Sequence, residues 1–357
     1  MRVLFVVPTL DAAGAEKLTV GYARGLRERG HETAVAFGLT RHPLRGELEE
    51  AGVAPFNVSP NALGARTLLE WARALRRTVR EFRPDVIHAQ SVTSALAARL
   101  AAPRMPLLVT LHGITENDEP LAALIFRLLR AHLTAVSAAT AEGITRFRWA
   151  PHIDLLPPGV DLATLRAESL PDPAVELVGE PRLCCVARQE AQKGIDVLLR
   201  SFVDVRKRLP DAGLTLVGGG DELETYTTLA EQIGLTTSVR FVGPVPNAAP
   251  YIARADVMIL PSRWEGLPVV VLESLGLERP VVATAVSGTP SVVIDGATGW
   301  LVPPEDEQAL ATAIVDCVER PDEARRRAES GRELIEARFS SERMLDRLEE
   351  LLARSMR

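Results

Sequence analysis

The sequence predicts an α/β protein of two doubly wound domains followed by a helical tail. Three observations predict it. Short apolar runs alternate with helical patterns from the amino terminus onward, which implies βαβ units and a mostly parallel sheet. The alternation breaks at Pro157-Pro158-Gly159-Val160-Asp161 and at the proline-rich, acidic stretch 168–181, then restarts at Arg182. From about residue 305 to 357 the pattern is helical throughout, with Pro321 marking a break.

In the first half the expected strands are 3–8, 33–38, 53–58, 86–90, 107–112, 133–137 and 152–156. Helical segments at about 15–29, 66–82, 91–101, 120–131 and 138–147 lie between them. Segment 66–82 is the clearest helix: Leu68, Ala72, Leu75, Val79 and Phe82 share one stripe, and Arg73, Arg76, Arg77 and Arg80 fall largely off it. A Rossmann-like helix packed on its sheet shows this pattern, and so does a basic helix lying on an anionic membrane. In the second half strands are expected at 182–188, 214–217, 239–243, 257–261, 281–285 and 299–302, with helices at 194–209, 221–233 and in the later gaps. The last helix, from Ser341, is amphipathic through Met344, Leu345, Leu348, Leu351 and Leu352. The expected division is therefore 1–160, 161–340 and a terminal helix 341–357.

Composition narrows the class. Apolar residues make up 46% and charged residues 25%, as in ordinary globular proteins, which argues against a disordered or fibrous chain. Three cysteines are too few for a disulfide framework, and the adjacent Cys184 and Cys185 point to opposite sides of a strand as core thiols, so a reducing, cytoplasmic location is expected. The run Met1-Arg-Val-Leu-Phe-Val-Val-Pro8 is too short for a signal peptide, and no run approaches the roughly 20 apolar residues of a membrane span. Charge is uneven: residues 1–160 hold 19 Lys/Arg against 15 Asp/Glu, and the rest hold 22 against 32. The basic half leaves open a peripheral contact with an anionic membrane through 66–82, at its inner face, or an acidic acceptor. A chance split between two domains accounts for the same numbers.

The stretch Leu260-Pro-Ser-Arg-Trp-Glu265-Gly-Leu-Pro-Val-Val-Val-Leu-Glu273 carries two carboxylates separated by seven uncharged residues. The apolar run before it places Glu265 at the carboxyl end of a strand, the edge where open α/β sheets bind ligands. Gly266, Leu267 and Pro268 form a turn, and Val269 opens a buried helix whose first N–H groups can meet an anion. A solvated surface pair of glutamates is the plainer reading. Arg188 and Lys193, with Gly194 at the next helix start, suit a diphosphate that gains charge as it leaves; solvated surface cations are the alternative. Gly218-Gly-Gly220 allows close backbone approach after a strand, and Gly243-Pro-Val245 ends the next strand, where backbone can meet a nucleobase. Asp11-Ala-Ala13-Gly14-Ala-Glu16 follows the first strand and can present N–H groups to phosphate, or be an ordinary tight turn.

His112, in Thr110-Leu-His-Gly113, ends a strand at the ligand edge and is the best candidate for contact with a reacting group. His88 lies inside an apolar strand and reads as a core histidine; His31 belongs to a turn, and His42, His132 and His152 carry no functional context. No Cys/His cluster has metal spacing, and no two aspartates stand two apart, so neither a metal site nor another cofactor is expected. The absent G-x-G-x-x-G fingerprint argues against an NAD enzyme.

Taken in order, Gly14-Ala-Glu16, Thr110-Leu-His-Gly113, Pro158-Gly-Val-Asp161, Arg188…Lys193-Gly194, Val217-Gly-Gly-Gly-Asp221, Ala255-Asp…Leu-Pro-Ser262, Glu265-x7-Glu273 and Asp295-Gly-Ala-Thr-Gly-Trp-Leu-Val302 resemble glycosyltransferase family 4, retaining enzymes of the GT-B fold. The resemblance spans nearly the whole chain. It implies two Rossmann-like domains facing a cleft, the last helix crossing back to the first domain, and a nucleotide-diphosphate sugar held by the second. It implies that Glu273 holds the ribose, that Glu265 holds the donor sugar, and that Arg188 and Lys193 stabilise the departing diphosphate with the backbone near Gly14. His112 would touch the sugar, Val245 the base, and Gly218, Gly266, Leu267, Pro268 and Val269 would line the donor. The implied reaction is front-face displacement with the leaving phosphate assisting deprotonation, on a hexose or N-acetylhexosamine. UDP is favoured over GDP as the carrier, and no nucleic acid is involved. Two positions depart from the family: Ala13-Gly14 replaces a double glycine, and Ser287-Gly-Thr-Pro-Ser291 lacks the glutamate usual in that turn. A nucleotide-sugar 2-epimerase and an inactive nucleotide-sugar binder are the competing readings. The acceptor is unread.

Overall fold

The computed structural model describes residues 1–10, 14–38, 44–58, 65–113, 119–165 and 170–357. Asp11, Ala12 and Ala13 of the first turn, His42, and residues 168–169 of the acidic connection lie outside the described residues. The chain divides into two compact units, Met1–Pro158 with Glu342–Arg357, and Gly159–Ser341.

The first unit runs β1 (Arg2–Val7), α1 (Gly14–Glu28), β2 (Glu32–Phe37), α2 (Arg45–Glu50), β3 (Ala54–Asn57), α3 (Ala65–Phe82), β4 (Val86–Ala89), α4 (Val92–Ala101), β5 (Leu107–Leu111), α5 (Glu119–Leu129), β6 (His132–Ala135), α6 (Ala138–Thr145) and β7 (Ile153–Leu155). Its sheet has the order β3-β2-β1-β4-β5-β6-β7 with parallel pairing. Both faces are covered, so the strands are near-continuous apolar runs rather than alternating ones. Leu4, Val6, Ala34, Ala36, Ile87 and Ala89 pack with α3, α4 and α5 on one face. Val3, Phe5, Val7, Val35 and Phe37 pack with α1 and α2 on the other.

The second unit runs β8 (Arg182–Val186), a 3-10 turn at Ala191–Lys193, α7 (Ile195–Arg208), β9 (Gly213–Val217), α8 (Leu223–Gln232), β10 (Val239–Gly243), α9 (Ala249–Arg254), β11 (Val257–Leu260), α10 (Val269–Gly276), β12 (Val281–Thr284), β13 (Trp300–Val302), α11 (Glu307–Glu319) and α12 (Pro321–Arg338). The sheet order is β10-β9-β8-β11-β12-β13, again parallel. Pro321 breaks the tail by starting α12, where its missing N–H costs nothing. Cys184 and Cys185 are both buried and only Cys185 joins the main core of this unit, as expected of neighbours on opposite faces of a strand. Burial pushes the Cys185 thiol up to about 12.

The last helix, α13 (Ser341–Ser355), belongs to the first unit. Its stripe of Met344, Leu345, Leu348, Leu351 and Leu352 is buried in the core that also holds α1. Contact is close at Gly25, where an added Cβ would lie 2.4 Å from Leu345 Cδ1. Arg29 holds Asp346 at 2.7 Å and Glu349 at 2.8 Å, and Arg347 holds Asp154 at 2.7 Å.

One helical detail differs from the sequence reading. Helix α2 was not expected: it is six residues long with a single buried side chain, Leu48, so it has no apolar period to detect. Helix α3 is present over the expected span, with Trp71, Ala72, Leu75 and Phe82 buried on the sheet and Arg73, Arg76, Arg77 and Arg80 outside. Among the described residues no helix is long and apolar enough to cross a membrane.

Candidate active site

In a doubly wound sheet the connections on either side of the point where strand order reverses diverge to opposite faces, leaving a crevice at the carboxyl edge. In the second unit that point lies between β8 and β11. Lys193 follows β8 and Glu265 follows β11, and the two meet there: Lys193 Nζ is 2.6 Å from Glu265 Oε1. Their side chains are 15% and 7% exposed, so the pair is largely desolvated and each charge depends on the other.

The surrounding backbone fixes this pair. Ser262 Oγ donates to the same Glu265 Oε1 at 2.7 Å, which leaves Oε2 as the oxygen free of these two bonds. Arg263 N donates to Gln192 O at 2.8 Å, and Gln192 Nε2 donates to Trp264 O at 2.9 Å, tying the two loops across the switch point. Gly194 has φ +62°, and a Cβ there would stand 2.2 Å from Pro261 O, so glycine is required for the loops to approach. The turn after β12 clasps the loop from the other side. Ser287 Oγ accepts from Glu265 N at 3.4 Å, and Gly288 N donates to Gly266 O at 3.0 Å. Ser287, at the first position of the turn that lacks the family's glutamate, thus bonds the backbone of the loop that presents Glu265, while Ser291 at the glutamate position donates to Gly288 O at 2.6 Å.

The loops after β9 and β10 continue the same edge. Gly218, at φ +132°, abuts the carbonyl of Ala187, and Gly219 lies against the ring of Pro244. Gly218 N donates to Gly243 O at 2.9 Å, so the glycine loop and the Pro244–Val245 turn are bonded neighbours. Val245 is half-buried. Arg188 is half exposed and pairs with Glu190 at 2.6 Å, which keeps its guanidinium near the loop. Gly266, Leu267 and Pro268 are buried, Val269 begins α10, and Glu273 stands half-buried five residues into that helix. A helix start leaves its first N–H groups without intrahelical partners, and Pro268 as N-cap offers no side chain to fill them.

Gly14 and His112 belong to the first unit, whose strand order reverses between β1 and β4. Gly14 opens α1. His112 follows β5, and its Nε2 is 2.8 Å from Oε1 of Gln90, the residue just after β4. With that oxygen accepting, Nε2 carries the proton and Nδ1 is left as an acceptor. Burial pushes His112 down to about 4, so the ring is neutral near pH 7 and acts by hydrogen bonding rather than by charge. His88 is a core histidine as expected: it is fully buried, bonds Thr110 Oγ1 at 2.7 Å and packs against Phe5 and Tyr22. The sequence reading assigned no role to Ser262, Glu190 or Gln90. Ser262 stood inside the quoted stretch, three residues before Glu265, and was the one that could have been found.

The comparisons with known proteins follow this division. Residues 12–164 match the model of Glycosyltransferase Family 4, and residues 180–320 match that of Glycosyl transferases group 1. A GDP-mannose-dependent alpha-(1-6)-phosphatidylinositol monomannoside mannosyltransferase of Mycobacterium tuberculosis is 30% identical over 72% of this chain and 74% of its own. The lipopolysaccharide core biosynthesis glycosyltransferase LpsD of Rhizobium meliloti is 27% identical over 96% of each chain. Among solved structures, Anabaena HepE in complex with UDP-glucose superposes with a TM-score of 0.82, at 21% identity over 99% of both chains. The two parallel α/β units are those of the GT-B glycosyltransferases. The chain belongs to glycosyltransferase family 4 and is a glycosyltransferase.

Proposed function

We propose that this enzyme moves a hexose from a nucleotide-diphosphate sugar to an acceptor hydroxyl, with retention at the anomeric carbon and without a metal ion. The observation that carries the reading is the Lys193–Glu265 pair at the switch point of the second unit. Glu265 Oε2 accepts from the donor sugar's hydroxyls, and Lys193 neutralises the carboxylate while turning its remaining N–H donors to the diphosphate. Arg188 exchanges Glu190 for the same diphosphate, and the first turn of α10 adds backbone donors. Glu273 holds the ribose, the Pro244–Val245 turn meets the base, and His112 offers Nδ1 to a sugar hydroxyl. No protein nucleophile is assigned; the leaving phosphate takes the acceptor's proton.

Relatives at 30–32% identity are named for GDP-mannose, which supports GDP-mannose as the first donor to test, ahead of the UDP carrier expected from sequence. The test is incubation with GDP-mannose, UDP-glucose and UDP-N-acetylglucosamine, with and without EDTA, following nucleotide release and the anomeric proton of the product by NMR. An α-linked product from an α-linked donor, formed at an unchanged rate in EDTA, is expected. Conversion of the donor to its 2-epimer without an acceptor, or an inverted product, overturns the reading.

A further inference from the structure

Among the described residues, the first unit carries an apolar surface on α5 that its fold does not use. Helix α5 buries Ala122, Ala123, Phe126 and Leu129, while Leu121, Leu124 and Leu128 are 61%, 46% and 73% exposed. Their spacing of three and four places them on one stripe. Trp149, 38% exposed, stands just beyond α6, and Arg127 of α5 donates to the Trp149 carbonyl at 2.9 Å, so this turn lies against the same helix. Scattered single apolar residues are ordinary on a surface; four large ones on adjoining elements are a patch.

Charge says what covers it. The one acidic residue of α5, Glu119, is buried and paired with Arg146. Arg127, Arg130 and Arg148 are exposed around the leucines and carry no ion pair among the described residues. Leucines to enter the acyl boundary, an indole for the headgroup level and guanidinium groups for phosphates fit an anionic bilayer. A second copy of the chain fits less well, because a two-fold contact through this patch would bring two arginine-bearing surfaces of like charge together. Helix α3, whose arginines drew attention in the sequence, has its apolar stripe committed to the core.

We propose that α5 and the Arg146–Trp149 turn form a docking surface for an anionic lipid bilayer. The assignment stands apart from the transferase reading, and its test needs no turnover. The full chain is floated with vesicles of equimolar phosphatidylcholine and phosphatidylglycerol, and with phosphatidylcholine alone. Binding to the anionic vesicles, weakened by salt, is expected, with quenching of Trp149 by brominated acyl chains that Trp149→Phe abolishes. Leu124→Asp/Leu128→Asp should lower vesicle affinity by roughly tenfold or more, since each buried leucine is worth about a factor of ten. Its melting temperature should stay at the wild-type value because both side chains are exposed. Arg73→Glu/Arg77→Glu on α3 is the comparison and should retain most of the affinity. The proposal is overturned by absence of vesicle binding, by affinity unchanged in the α5 variant, or by affinity lost only in the α3 variant. It is also overturned if the α5 variant abolishes self-association in a chain that ignores vesicles.

Discussion

Lys193 and Glu265 stand 72 residues apart in sequence and 2.6 Å apart in space, joined across the one point in their sheet where strand order reverses. The contact changes the roles inferred for each residue separately. The lysine is not a free cation awaiting a diphosphate; it already neutralises the Glu265 carboxylate, and Ser262 holds that carboxylate in place.

Breaking this pair should cost stability. Lys193→Ala leaves Glu265 as a lone buried charge, and a loss of about 3–5 kcal/mol is expected in denaturant unfolding. The double variant Lys193→Met/Glu265→Leu removes both charges and should recover most of that loss while staying inactive. Additive losses in the double variant would show that the two side chains do not act as a pair.

Glu265→Gln keeps the shape and removes the charge. It should lower kcat by about 100- to 1000-fold, the scale of losing one preorganised electrostatic contact at a reacting centre. Steady-state kinetics with saturating donor checks this, and a change confined to KM would contradict it.

Gly194→Ala tests the close approach of the two loops. The left-handed backbone and the Pro261 carbonyl both oppose a side chain, so a loss of about 1–3 kcal/mol is expected, with reduced kcat from a displaced Lys193. Wild-type melting and turnover would contradict the geometry.

Acid should destabilise the first unit through its histidines. Burial, with the neighbouring His112 second, holds His88 down to about 3, and burial holds His112 down to about 4. Above about pH 6.5 both rings are neutral, folded or unfolded. As pH falls from about 6.5 through 4 to 3, the unfolded chain binds protons that the folded chain refuses, so stability is lost through that window. Melting temperatures between pH 7 and pH 5 should fall less steeply in His88→Gln than in wild type. Parallel curves would mean that His88 takes up its proton in the folded state as readily as in the unfolded one.

The fold was legible because its strands and helices each carry a local period. Strands such as Val257–Leu260 are unbroken apolar runs, and α13 shows its stripe from Met344 to Leu352, about two and a half turns. Helix α2 escaped because six residues with one buried leucine carry no period. In the site, Arg188, Lys193 and Glu265 were visible as charged residues in loops after strands, and Glu273 as the carboxylate on the helix that follows. Their partnerships were not, because the neighbour of β8 is set by sheet order rather than by spacing along the chain. Gln90 was hidden for the same reason: it meets His112 only because β4 and β5 are adjacent. The exposed leucines of α5 read as ordinary helix residues until burial distinguished them from Phe126 and Leu129.

The central claim is that the second unit holds a nucleotide-diphosphate sugar with Glu273 on the ribose and Glu265 on the sugar. Calorimetric titration of GDP, GDP-mannose, UDP and UDP-glucose into wild type, Glu273→Ala and Glu265→Ala tests it most directly. The account predicts that one nucleotide binds the wild type, that Glu273→Ala weakens it by roughly tenfold or more, as expected when a charged hydrogen bond is lost, and that Glu265→Ala leaves the bare nucleotide nearly unchanged while weakening the sugar nucleotide. Equal losses of bare nucleotide in both variants, with both folded, would contradict it.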